Sequence, residues 1–184
     1  VTATYLIAGA VTNSEISITN TCPGDLVSVI SVLNRCGFKI SYDEKSVKIG
    51  RNRIIEPIDL IRTMPYPGFP TDVQSVITPL LCLAKGTSII TENLFENSFK
   101  HIAELNRMGA DICIVERNAV IGGVNKLFGT EVRASDLRGA AGLVIAGLCA
   151  DGITIVDGVE YLNRGYENFV ENLQGLGADI SYLT

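Results

Sequence analysis

Two hydrophobic periods take turns along this chain. Short apolar runs of four or five residues, many alternating with polar ones, suit strands. Between them lie longer stretches whose apolar residues recur every three or four positions, as on a buried helix face. On this pattern strands are expected at EISIT (15–19) and at 58–62, 88–91, 111–115, 119–122, 131–134, 153–156 and 180–183. Helices are expected at 24–35, 72–84, 98–108, 136–149 and 165–176. Pro79 falls inside the second of these, which predicts a kink or a shortened helix there. Regular alternation of strands and helices gives an α/β class with helices buried against sheets.

The pattern repeats. LNRCGFKI (33–40), LNRMGADI (105–112) and LQGLGADI (173–180) recur at intervals of about 70 residues. Each follows a helical stretch and carries a glycine, Gly37, Gly109 or Gly177, where a helix would end in a left-handed residue. Upstream the match continues, with helix-like LIAGAVTNS, LLCLAKG and VIAGLCADG leading into EISIT, TSIIT and ITIVD. The chain therefore reads as one domain of three units, at about 1–56, 57–127 and 128–184, the first without its opening strand. It also starts inside a helical pattern, with no initiator Met and no capping residue, as expected of a piece of a longer protein.

Composition narrows the chemistry. With 184 residues, 47% apolar and 19% charged, this is an ordinary core-forming domain. A net charge of -5 disfavours nucleic acid as the main partner. The five cysteines form no C-x-x-C pair and suit reduced thiols of a cytoplasmic protein. Cys82, Cys113 and Cys149 lie in apolar runs and are expected in the core. One histidine, His101, and no ligand spacing leave no transition-metal site to expect. The apolar opening, residues 1–10, is too short to span a bilayer, so no membrane is expected as partner.

Three places could carry chemistry. PYPGFPTDVQ (65–74) is a loop stiffened by prolines, with Thr71 a candidate N-cap paired with Gln74 in a capping box. Asp72 then falls in the first helical turn. It is either a carboxylate favoured by the helix dipole or a general base on a pre-formed loop. In SDLR (135–138), Ser135 suits the cap and Asp136 the first turn, but Arg138 opposes the dipole. Arg164 repeats the oddity after Asn163. Both arginines either face solvent or a carboxylate, or converge with helix N–H groups on an anion. FENSF (95–99) occupies the matching place in the second unit, with Asn97 a possible cap. GAAGLVIAGLCA (139–150) signals close helix packing, since a phosphate loop would end G-K-[ST].

The strings PGFPTD, ITENLFEN, ELNRMGAD, ASDLR and NRGYE, in this order and spacing, resemble the second domain of the UDP-N-acetylglucosamine enolpyruvyltransferases. The resemblance covers nearly the whole chain and is clearest from Arg62 onward. It implies an inside-out α/β barrel of three βαβαββ units, helices central and sheets outward. It also implies a reaction, transfer of the enolpyruvyl group of phosphoenolpyruvate to the 3-hydroxyl of UDP-N-acetylglucosamine by addition and then elimination of phosphate. That is the first committed step of peptidoglycan synthesis, and no cofactor is implied. Asp72 matches the proposed base at the sugar 3-hydroxyl, and Leu94 a position whose main chain contacts the sugar nucleotide. Arg138 and Arg164 match arginines at the phosphoenolpyruvate end of the cleft.

The sequence departs from the family at Ser98, commonly Arg, and at Asn163, commonly Asp. The first change removes a cation near the cleft; the second still allows capping. The family's loop cysteine, and its lysine–asparagine pair, belong to parts of the protein outside this chain. The chain alone is accordingly expected to be inactive and to need the other domain. A stand-alone binding or scaffold module of the same fold is the rival reading. RNA terminal-phosphate cyclases, a sister branch, are disfavoured by the acidic charge and the motif set.

Overall fold

The computed structural model describes residues 1–183. In chain order the elements are α1 (Thr2–Val11), β1 (Ile16–Thr19), α2 (Val27–Arg35), β2 (Ile40–Tyr42), β3 (Ser46–Ile49) and β4 (Ile61–Arg62). Then come α3 (Thr71–Cys82), β5 (Thr87–Thr91), α4 (His101–Arg107), β6 (Asp111–Val115) and β7 (Asn118–Gly122). The last are β8 (Glu131–Arg133), α5 (Leu137–Cys149), β9 (Ile155–Asp157) and α6 (Phe169–Gly175).

Helices α1, α3 and α5 touch one another and form the centre. Their sequences account for it, because all three are apolar or small on nearly every side, as a fully enclosed helix must be. Each meets a sheet: α1 lies against β1 and β3, α3 against β7, and α5 against β9. Strands present alternate residues inward, for example Ala119 and Ile121 of β7. Among the described residues no helix is long and apolar enough to cross a membrane.

The sheets share one plan. The central one runs β4-β5-β7-β6, with β4 and β5 parallel and the other pairs antiparallel. The sheet β1-β3-β2 has the same antiparallel pairings as β5-β7-β6. The parallel pair β8-β9 repeats β4-β5. Three helix ends match in detail. Gly37, Gly109 and Gly177 have φ of +97°, +93° and +95°. The next residue in each case returns its N–H to a carbonyl of the last turn: Phe38 to Leu33 at 3.1 Å, Ala110 to Leu105 at 3.1 Å, Ala178 to Leu173 at 3.0 Å. This is the bonding of a glycine-terminated helix, with the glycine in the conformation that a Cβ would strain.

Helix α3 runs past Pro79 to Cys82. Proline has no N–H to give the Ser75 carbonyl four residues earlier. That carbonyl faces α5 instead, where a Cβ on Gly142 would lie 2.5 Å from it. Close packing of α3 on α5 therefore depends on the small residues already noted in the sequence.

Several elements differ from expectation. A 3-10 turn, Pro23–Leu26, precedes α2, which is shorter than 24–35. Helix α4 starts at His101 and not 98, because Ser98 Oγ bonds the Phe95 carbonyl at 3.2 Å and residues 96–100 stay in turns. Helix α6 starts at Phe169 and not 165, since Asn168 takes a left-handed φ of +50°. Residues 180–183 form no strand, having no strand paired with them among the described residues. Cys113 is exposed, on the outward face of β6, whereas Cys82 is buried as expected and Cys149 is half-buried. Cys36 is also buried, and burial pushes the thiols of Cys36, Cys82 and Cys149 up to about 12.

Candidate active site

Asp72 is the one exposed residue of α3. The eleven others are buried, so nothing in the packing of this helix calls for a carboxylate at that position. The loop before it is held from several sides. Met64 N–H bonds the Phe69 carbonyl at 3.0 Å, Gly68 N–H bonds Pro65, and the Gly68 carbonyl accepts from Ser28 Oγ at 3.1 Å. The Tyr66–Pro67 bond is cis. The expected capping box is absent. Pro70 occupies the cap position, Thr71 is already helical, and its hydroxyl turns away to Glu92.

Arg138 comes to Asp72 from the start of α5. Its Nε donates to Asp72 Oδ1 at 2.6 Å, and its guanidinium stacks over the Phe95 ring at 4.7 Å. Asp136, not Ser135, caps this helix, its Oδ1 accepting from Gly139 N–H at 2.8 Å. Ser75 Oγ donates to the Arg138 carbonyl at 2.7 Å, so a second bond ties the two helix starts together. The cation at the start of α5 is thus paired with a carboxylate, one of the two arrangements expected of it. Its terminal nitrogens make no hydrogen bond among the described residues, which leaves donors free for an anion.

Leu94 is exposed, on the loop whose next residue is the Phe95 under Arg138. Asp72, Leu94 and Arg138 therefore share one neighbourhood. Arg164 does not stand where the sequence placed it. It is the last residue of a 3-10 turn, Val159–Arg164, where a cation suits the negative end of the turn, and Asn163 lies inside that turn, the cap position of the next helix being Asn168. Its guanidinium lies 5.5 Å from the Tyr161 ring centroid. No hydrogen bond or ion pair joins it to Asp72, Leu94 or Arg138 among the described residues. The link is through its neighbour Gly165, packed against the Leu137 side chain just before Arg138.

Two buried residues were not singled out for this site from the sequence: Glu92, which appeared only within the string ITENLFEN, and His101, weighed only as a metal ligand. Glu92 is 2% exposed and accepts four hydrogen bonds beneath this site. Its signal was an acid directly after the apolar run TSIIT, at a strand end. His101 is 4% exposed, with Nε2 unpartnered among the described residues. Burial pushes it down to about 4, against the pull of Asp136 and the Ser98 backbone, so it is neutral near pH 7.

The profile of the family described as EPSP synthase (3-phosphoshikimate 1-carboxyvinyltransferase) matches residues 1–173. UDP-N-acetylglucosamine 1-carboxyvinyltransferase 1 of Carboxydothermus hydrogenoformans is 50% identical over 177 residues, 96% of this chain and 42% of the relative. The protein named UDP-N-acetylglucosamine 1-carboxyvinyltransferase 2 of Caldanaerobacter subterraneus subsp. tengcongensis is 47% identical over 180 residues, 98% of this chain and 43% of the relative. Among solved structures, the enolpyruvyl transferase NikO from Streptomyces tendae superposes with a TM-score of 0.88 at 29% identity, over 98% of this chain and 43% of that one. The chain thus spans under half the length of the relatives it matches.

Proposed function

The chain belongs to the EPSP synthase family, and from that premise we propose that it is one domain of a UDP-N-acetylglucosamine enolpyruvyltransferase acting in the cytoplasm. The parent moves the enolpyruvyl group of phosphoenolpyruvate to the sugar 3-hydroxyl, the first committed step of peptidoglycan synthesis. The observation that carries the reading is Asp72, the single exposed residue of an otherwise buried helix, joined to Arg138 on a second helix start.

The reaction asks for what these residues supply. The sugar hydroxyl must lose its proton as its oxygen bonds the central carbon of phosphoenolpyruvate, while the methylene carbon of that substrate gains a proton. Elimination then expels phosphate and removes a proton from the new methyl group, restoring the double bond. Asp72 is the base for the hydroxyl. Arg138 neutralises carboxylate and phosphate charge with the donors it leaves free, and Arg164 adds a second cation from the neighbouring turn. The Leu94 main chain positions the sugar nucleotide. A second domain supplies the opposite wall and closes over the substrates, excluding water as such lids do.

The test is phosphate release from phosphoenolpyruvate in the presence of UDP-N-acetylglucosamine. The full-length gene product is expected to release phosphate only with both substrates present, and the isolated chain not above the uncatalysed rate. A full-length protein that is inert, or a chain active alone, overturns the reading.

A further inference from the structure

A carboxylate buried without a cation is costly unless donors surround it. Glu92 is such a group, 2% exposed and in no ion pair among the described residues. Its Oε1 accepts from Thr63 Oγ1 at 2.7 Å, Leu94 N–H at 2.8 Å and Phe95 N–H at 3.3 Å. Its Oε2 accepts from Thr71 Oγ1 at 2.8 Å. Four donors match the ionised form, which can only accept. Thr63 extends the network, its hydroxyl accepting from Asn93 N–H at 2.9 Å.

We propose that Glu92 is the positioning residue of this site, a two-armed clamp built into the end of β5. The Oε1 arm fixes the backbone of Leu94 and Phe95, the first contacting the sugar nucleotide and the second stacked under Arg138. The Oε2 arm fixes Thr71, the residue before Asp72, and with it the start of α3. The carboxylate itself is anchored beside the end of β4 through Oε1, which accepts from the Thr63 hydroxyl. An apolar side chain of similar volume would fill the same space without the desolvation cost, so packing alone does not explain an acid here. Glu92 touches no substrate; it acts through Leu94, Phe95 and Asp72. This inference rests on the proposed function.

The two arms give different kinetic signatures, which a role in stability alone would not. In the full-length protein, Thr71→Val releases only the Oε2 arm. It is expected to lower kcat with the KM for UDP-N-acetylglucosamine unchanged. Glu92→Ala releases both arms and is expected to lower kcat/KM by about 10²-fold, the scale of a small misplacement of reacting groups, while raising that KM. Glu92→Gln restores both values, because its carbonyl keeps the Oε1 donors and its NH2 can donate to Thr71. Amide hydrogen exchange on the same proteins gives a readout without activity. Residues 93–95 should exchange about tenfold faster or more in Glu92→Ala, with the β6–β7 hairpin unchanged. Wild-type kinetics in both Glu92→Ala and Thr71→Val, or equal losses in Gln and Ala, would overturn the clamp. Should Glu92→Ala not fold, the Thr71→Val split decides alone. A wild-type protein inert toward these substrates would remove the proposed function, and the exchange comparison would still decide whether Glu92 holds the loop.

Discussion

Arg138 Nε lies 2.6 Å from Asp72 Oδ1, joining the first turns of two central helices across 66 residues of sequence. The pair occupies one oxygen of the carboxylate and leaves Oδ2 without a protein partner among the described residues. An anionic substrate that drew Arg138 toward itself would free the whole carboxylate to take a proton. Under the proposed function, the contact would link substrate arrival to the readiness of Asp72 as base.

Arg138→Lys tests this link. Lysine keeps the charge but loses the planar fork and the stack on Phe95. Hydrogen bonds to charged groups contribute about 1.5–3 kcal/mol, so the KM for phosphoenolpyruvate should rise roughly ten- to a hundredfold. Stability should change by less than about 1 kcal/mol, because the Asp72 side chain is 74% exposed and such pairs are well solvated. Steady-state kinetics beside thermal melting checks both halves.

Close packing of α3 on α5 predicts opposite outcomes at two glycines. Gly142→Ala sets a methyl 2.5 Å from the Ser75 carbonyl, a backbone atom that cannot swing aside. It should destabilise the domain by about 1–3 kcal/mol, the usual scale of overpacking. Gly175→Ala, at the end of α6 with nothing within 4 Å of the new methyl, should gain up to about 1 kcal/mol. Urea denaturation of the two variants beside the wild type measures the difference.

His101 predicts a pH dependence. Its folded value, about 4, lies below the ordinary 6.5, and burial is the largest cause. The unfolded chain takes up a proton as pH falls below 6.5, while the folded one waits until about 4. Stability from this group is therefore complete above 6.5, declines as pH falls between these values, and levels off below about 4. The loss is at most about 3 kcal/mol. In His101→Gln the decline over that window should be shallower by this amount. His101 is the sole histidine of the chain, so its NMR titration can be followed without assignment.

Periodicity and glycine placement made most of the fold legible. The three helix-end glycines, the α/β order and the burial of the small-residue helix all follow from local chemistry that a sequence carries directly. What failed was decided by distant partners or by competing side chains. Thr71 is a good cap in isolation, but Glu92, 21 residues away, takes its hydroxyl. Arg164 looked misplaced only because Asn168, in a left-handed conformation, delays α6 and leaves a 3-10 turn before it. Residues 180–183 have strand-like residues but, among the described residues, no strand to pair with. At the site, the awkward charge of Arg138 was visible in sequence, whereas its carboxylate partner became visible only when two helix starts met.

The central claim is that Asp72 takes the proton of the sugar hydroxyl, and Asp72→Asn in the full-length protein tests it most directly. Asparagine has nearly the same shape and still hydrogen-bonds, but it cannot serve as the base. Loss of a general base costs about 10²–10⁴-fold in rate, so kcat should fall by that factor. The Kd for UDP-N-acetylglucosamine, measured by calorimetry, should change far less. A variant with wild-type kcat would contradict the account and leave Asp72 as an acid favoured by the helix dipole.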